Sequence, residues 1–464
     1  MQRRRYFLSQ IPSIPAEANA ETAHLSRVLG LWDVVFYGLV MISPTATVPL
    51  FGLAQKLSHG FMVTCLMIAM GAMAITAVSY GRMSAVYPSA GSAYTYIGRA
   101  LNPHLGFLVG WAMLLDYLDQ PILNSIYGAL TIQRLLPHAP YILLTALFVA
   151  LMTYLNLRSV RASARMNEIL LAFLISVIGV FIILAIRYLF KKHGLHGVFS
   201  IQPFYDPRTF ELRAVATGTS FAALTYIGFD GVTLLAEEVK NPKRNILLAG
   251  VMVCLFGGFF CGLQAYLAQR VWPDYRAYPH VETAFMDVSR IVGHAGLFHA
   301  MAAVLIVMSL ACGLTGQLGA ARLLFSMGRD GVLPRRPFAY LGRTNVPSAN
   351  VLILGVVAFL FTQILSYELA AEVLNFGAFL AFMGVNVSCF THYYVHAPEG
   401  YKRHLLRDAV TPMVGFLFCL WIWCNLSRLA FIAGSIWIAA GFIYAAVKTR
   451  GFRLKALTLD FRDR

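Results

Sequence analysis

Runs of about 20 mostly apolar residues recur along this chain, and each is long enough to cross a bilayer as a helix. In hydrocarbon every backbone N–H and C=O must be satisfied internally, so helices are the natural product of such runs. We place them near 31–54, 61–83, 105–133, 141–157, 167–190, 212–236, 246–269, 294–326, 349–366, 371–395, 411–427 and 429–447, twelve in all. Composition agrees: the chain is 58% hydrophobic and 12% charged, whereas a soluble globular protein carries roughly 25% charged residues. The expected class is therefore an all-α integral membrane protein of one domain spanning 29–450. A tail is expected at each end, 1–28 and 451–464.

The formal charge of +16 is not read as nucleic-acid binding, because the basic residues lie between apolar runs, as orientation in a membrane requires. With the N-terminus inside, the inner segments hold about 26 Lys and Arg against 11 outside. Both termini are thus expected in the cytoplasm, the membrane being the cytoplasmic (inner) one. Residues 1–28 are polar, basic and proline-broken, so they read as a cytoplasmic tail and not as a cleaved signal peptide.

Two of the twelve runs carry breaks. From 214 to 236 the single formal charge is Asp230, with Gly228 two residues before it and Gly231 directly after it. A bare acid in such a run is costly and each glycine weakens a helix by roughly 1 kcal/mol, which fits either a binding site at the bilayer midplane or a close helix contact with the acid paired to a neighbour. The first run contains MISPTATVPLFG, 41–52. Pro44 and Pro49 remove backbone donors there, while Ser43, Thr45 and Thr47 can bond the groups set free. The breaks lie five runs apart. An odd number of spans per unit turns two copies over relative to each other, which is the pattern of an inverted-repeat transporter with its site between the broken helices. Repeat one is expected over about 31–190, repeat two over about 212–395, and two extra helices over about 411–447. Half-helix ends favour a carboxylate at their N–H end and an ammonium at their C=O end. A small amine or an amino acid is the expected partner.

Five stretches resemble the amino acid–polyamine–organocation superfamily of permeases: PSAGSAYTY at 88–96 with NPHLGFLVGW at 102–111, YIGFDGVTLLAEEVKNPKRNI at 226–246, ARLLFSMGRDGVLP at 321–334, NVPSANV at 345–351, and the 41–52 break. The run DYLDQP at 116–121 is similar to putrescine importers and their relatives. The resemblance implies a five-plus-five inverted repeat of LeuT type with two added helices. It implies that Ile42, Ser43, Pro44 and Thr45 line one half of the substrate site and Tyr226, Ile227, Gly228 and Phe229 the other. Leu224 stands where members often have a gating aromatic, so Tyr226 or Phe229 is left to act as a lid. Asp230 stands where members often carry an acid linked to protonation or gating. Leu174 replaces a lysine of some proton-coupled members, and Pro49 replaces an acid of the putrescine importers.

Asp116 and Asp119 share a helix face at i, i+3, with Tyr117 between them. Asp116 and Tyr117 are expected to face the substrate, and Asp119 to be solvated near the outer surface or paired with Arg134. Glu168, Glu237, Glu238, Arg322, Arg329 and Asp330 are expected to form inner-face charge clusters that steady a gate. The seven cysteines read as small buried side chains. The twelve histidines show no ligand spacing, so neither metal nor cofactor is expected. The functional expectation is a secondary transporter of amino acids or amines, using a proton or sodium ion and surrounded by lipid. The alternative is a channel or a membrane enzyme; neither a filter repeat nor a nucleophile with its base supports it, and no phosphate-binding loop is present.

Overall fold

The computed structural model describes residues 27–88, 92–158, 164–236, 238–329, 331, 333–342 and 346–451, with backbone only over 164–171. Among them there are helices and no strands. The expected tails at 1–28 and 451–464 lie almost wholly outside these residues, as do Glu237, Asp330 and the Glu168 side chain.

Helix α1 (Leu31–Ile42) and α2 (Thr47–Leu57) are one apolar run bent by 57°. The bend follows from Pro44. A residue before proline avoids the helical region, and Ser43 accordingly sits at φ 65, ψ 123. Pro49 is the third residue of α2, inside the first turn, where N–H groups lack intrahelical partners in any case. Next come α3 (Met62–Val86), α4 (Ser92–Ala100) and α5 (Pro103–Leu135), the last capped where the Asn102 side chain accepts from the His104 N–H at 2.8 Å. Helices α6 (Tyr141–Leu157), α7 (Ala164–His193) and the short α8 (Leu195–Val198) complete the first half.

The second half opens with α9 (Leu212–Ala222), which tightens into 3₁₀ turns at Ala223–Tyr226 and Phe229–Leu235 on either side of Gly228. Then follow α10 (Pro242–Val271), α11 (Ala284–Arg329), α12 (Arg335–Phe338), α13 (Ser348–Thr362), α14 (Tyr367–Phe390), α15 (Thr411–Cys424) and α16 (Arg428–Lys448). Helix α11 is longer than the sequence pattern implies, because an apolar helix before Gly293 joins it across a kink where His294 takes φ 53. Among the described residues seven helices can cross a membrane by length and composition, and the bent α1–α2 pair makes an eighth. Outward-facing Leu143, Leu147, Val356, Leu360 and Ile436 are exposed, as a belt against lipid requires.

Helix α5 is the central element, packed by α11, α14, α6 and α16. Glycines allow the approach: a Cβ at Gly377 would lie 2.6 Å from the Ala112 carbonyl, and one at Gly316 would lie 2.4 Å from Gln120 Cβ. Small residues let membrane helices close on one another in this way. The tryptophans serve packing. Trp111 on α5 stacks on Trp437 of α16 at 5.1 Å, and each indole N–H donates to the other residue's carbonyl. All seven cysteines are unpaired; five are buried, and Cys424 is exposed. At the 82 end of α3, Arg82 donates to Asp408 Oδ1 at 2.6 Å and to the Arg407 carbonyl at 2.6 Å. This buried pair fastens the turn before α15 to α3.

Candidate functional site

The two breaks meet. Gly228 has φ 107, a conformation that glycine reaches without steric cost. A Cβ built there would stand 3.1 Å from the Met41 carbonyl oxygen and 3.3 Å from its carbon. The backbone of the second break therefore lies against the last turn of α1. A Cβ at Gly231 would meet only the flexible end of the Met41 side chain, at 3.2 Å. Outside this contact the two chains are tied once more, where Leu29 accepts from the Lys240 N–H at 2.8 Å and donates to the Glu238 carbonyl at 3.1 Å.

Beside the junction is a cavity of ≈ 180 Å³. Of the sequence-predicted residues, Ile42, Ser43, Leu224 and Ile227 line it. So do Pro49 and Leu50 of α2, Met308 and Ser309 of α11, and Tyr367 of α14. Helix α5 contributes Gln120, Asn124 and Tyr127. Gln120 lies against the carboxyl of Asp116, one turn away. The spacing Asp116, Gln120, Asn124 repeats every four residues, so the polar face of α5 was present in the sequence. Nothing local marks Met308, Ser309 or Tyr367, which arrive from distant helices.

Several expected residues point elsewhere. Tyr226 is 0% exposed and its hydroxyl donates to the Leu66 carbonyl at 2.8 Å, so it is anchored to α3 and is not a lid. Phe229 is buried too, its ring 5.5 Å from Tyr80 and 5.2 Å from Phe382. Both side chains leave the cavity, which Leu224 and Ile227 line from the same segment. Thr45 is buried, its hydroxyl directed at Met308 Sδ. Pro44 is half-buried and offers its carbonyl to the Gln264 side-chain amide at 2.8 Å.

Asp116 is half-buried, with Oδ1 lacking a partner, and Tyr117 is 36% exposed. Asp119 is not at a wet surface: it is 3% exposed, and Oδ2 has no hydrogen-bond partner. Arg134 pairs instead with Asp287 in the first turn of α11. Asp230 is half-buried. No cation among the described residues meets its carboxylate. Asp116, Tyr117, Tyr80 and Tyr96 lie within electrostatic range of it. The site is thus a small cavity that no charged side chain lines; Asp116 lies one turn from its lining residue Gln120.

Known proteins resemble this chain over most of its length. The family described as "Amino acid permease" matches residues 33–457. The low-affinity putrescine importer PlaP of Escherichia coli (strain K12) is 32% identical over 442 residues, covering 94% of this chain and 96% of the relative. The branched-chain amino acid permease BcaP of Lactococcus lactis subsp. cremoris (strain MG1363) is 26% identical, covering 92% and 96%. The vacuolar cationic amino acid transporter 4 of Arabidopsis thaliana is 28% identical, covering 84% and 67%.

Proposed function

This chain belongs to the amino acid permease family, and we propose that it carries its substrate through the cavity between the two helix breaks by alternating access. It is a multi-pass membrane protein and a secondary transporter for amino acids or polyamines, not an enzyme. The observation that carries the proposed route is the apposition of Gly228 to Met41 beside the cavity.

The chain crosses the cytoplasmic membrane twelve times, with both termini inside, as one domain over 29–450. Helices α1 to α7 form the first five-span repeat and α9 to α14 its inverted copy; α15 and α16 are the two added spans. The equivalent placement of the two breaks supports this reading, as does the excess of Lys and Arg on one side. Ile42, Ser43, Ile227 and Gly228 hold the substrate, with Leu224 as an apolar flank of the cavity. Pro44, Thr45, Tyr226 and Phe229 act through backbone placement. Asp116 and Tyr117 face the substrate's charged end, and Asp230 links the cycle to a coupling ion, a proton or sodium. An ammonium needs negative or carbonyl partners in such a low-dielectric site, and both are at hand.

The test is uptake by purified protein in liposomes of labelled arginine, putrescine, glutamate and leucine. Saturable uptake of at least one, driven by an imposed proton or sodium gradient, is expected. Downhill flux that never saturates would instead describe a channel.

A further inference from the structure

A second cavity, of ≈ 600 Å³, shares no lining residue with the first. Its floor is the seam between α3 and α10, lined by Met67, Phe259 and Leu263. Its roof is the segment that follows α8, with Phe199 and Ile201. Three hydrogen bonds fix the roof to the seam. The Tyr266 hydroxyl donates to the Val198 carbonyl and accepts from the Ser200 N–H, each at 2.7 Å. The Thr64 hydroxyl donates to the Phe204 carbonyl at 2.6 Å. The outward faces are apolar: Phe199 is 73%, Ile201 75% and Phe259 71% exposed. The cavity is therefore a preformed apolar groove that opens on the side of the helix bundle.

One end of the groove is basic. Helix α7 ends in Lys191, Lys192 and His193, all exposed. Helix α8 folds back on that end, since a Cβ at Gly197 would lie 2.7 Å from His193 Cβ. Arg270, the penultimate residue of α10, donates to the Gly197 carbonyl at 3.1 Å and to the His196 carbonyl at 3.3 Å. The end of α7 and the guanidinium of Arg270 thus meet at residues 196–197, just before the roof. From 187 to 205 the chain has three Lys and Arg and no Asp or Glu, so this rim suits an anion. Length narrows the occupant further. Phe259 stands eleven positions before Arg270 on α10, about 16 Å along the helix. Half of a bilayer's hydrocarbon core is roughly 15 Å thick.

We propose that the groove binds one phospholipid with a net negative headgroup. An acyl chain lies along α10 from the roof to Phe259, and the headgroup phosphate meets the rim of Lys191, Lys192 and Arg270. Basic pockets between membrane helices hold anionic headgroups in this way. On the topology proposed above the lipid belongs to the outer leaflet. A soluble polar ligand would leave the apolar roof and floor unmatched, and a zwitterionic lipid would not use the excess of positive charge. The seam beneath the groove also anchors the second break: Leu66, beside Met67, accepts from the Tyr226 hydroxyl, and a Cβ at Gly258, beside Phe259, would lie 2.6 Å from that hydroxyl. A ligand that binds only the folded state stabilises it, so the lipid steadies the helix pair that holds the break.

The test uses the full-length protein, delipidated in mild detergent and mixed with dioleoyl phosphatidylglycerol or dioleoyl phosphatidylcholine. Bound lipid is counted by native mass spectrometry, and thermal unfolding is followed beside it. One phosphatidylglycerol should bind at least about tenfold more tightly than phosphatidylcholine and raise the unfolding temperature. The double variant Lys191→Gln, Lys192→Gln should bring the two lipids within about threefold of each other, with phosphatidylcholine binding unchanged. Leu263→Trp fills the groove and Ile201→Asp puts an acid in its roof. Each should weaken phosphatidylglycerol binding at least about tenfold, and Ile201, being exposed, can be changed without disturbing the fold. Equal affinity of the wild-type protein for the two lipids overturns the proposal. So does a preference that survives the double lysine change, or wild-type phosphatidylglycerol binding by Ile201→Asp. Many lipids bound without saturation would show only the ordinary lipid annulus and overturn it as well.

Discussion

Substitution of Gly228 by alanine probes the junction of the two breaks. The backbone there has φ 107, which costs a residue with a Cβ about 1–2 kcal/mol. The new methyl would also stand 3.1 Å from the Met41 carbonyl oxygen, so that carbonyl must give way. A domain stable by about 5–15 kcal/mol survives the backbone cost, and Gly228→Ala should fold and reach the membrane. Transport should suffer more than stability, because the displaced carbonyl belongs to Met41, which lines the cavity. Losing one hydrogen bond to a charged group costs about 1.5–3 kcal/mol, or roughly tenfold to a hundredfold in affinity. The assay is initial uptake rate against substrate concentration in proteoliposomes, with thermal unfolding of the detergent-purified protein measured beside it. Gly231→Ala is the internal control. Its methyl meets only the mobile end of the Met41 side chain, and its backbone has an ordinary φ, so half-saturation should stay within about twofold, well under 1 kcal/mol. A Gly228→Ala protein with wild-type kinetics, or equal damage from both variants, would refute the placement of the substrate at this junction.

Asp116→Asn and Tyr117→Ala should each raise half-saturation for a dicationic substrate by about tenfold or more, the loss of one charge-assisted bond; unchanged values in both would move the substrate away from α5. Asp230→Asn should alter the pH profile of uptake, since the acid is met by no cation among the described residues; a superimposable profile would leave Asp230 as a structural hydrogen-bonding group. Tyr226→Phe should lower stability by about 0.5–1.5 kcal/mol, because it removes the buried hydrogen bond from the Tyr226 hydroxyl to the Leu66 carbonyl, and should leave half-saturation unchanged. A large change in half-saturation would restore Tyr226 to the cavity wall.

Both breaks and most of the long apolar helices were legible in the sequence because each has a local cause, whereas the short α4 and the start of α11 before Gly293 were not. Apolar length specifies a helix in lipid, and the effect of Pro44 on Ser43 or of Gly228 on its own φ acts within one or two residues. The polar face Asp116, Gln120, Asn124 was likewise written at helical spacing, although only the first of the three was singled out. The side-chain directions were not legible. Whether Tyr226 faces the cavity or α3 depends on where the Leu66 carbonyl falls, 160 positions away in the chain. The partner of Arg134 proved to be Asp287 and not Asp119, since the kinked start of α11 brings Asp287 alongside. The same holds for the chemistry of the breaks. Local sequence says that a broken helix frees N–H and C=O groups in equal measure. Only the packed structure decides which are spent internally, here the Ser43 and Ala46 N–H groups on the Val40 and Ser43 carbonyls, and which are left for a ligand. Hydrogen-bond saturation is a property of the assembled neighbourhood, so it had to come from the tertiary structure.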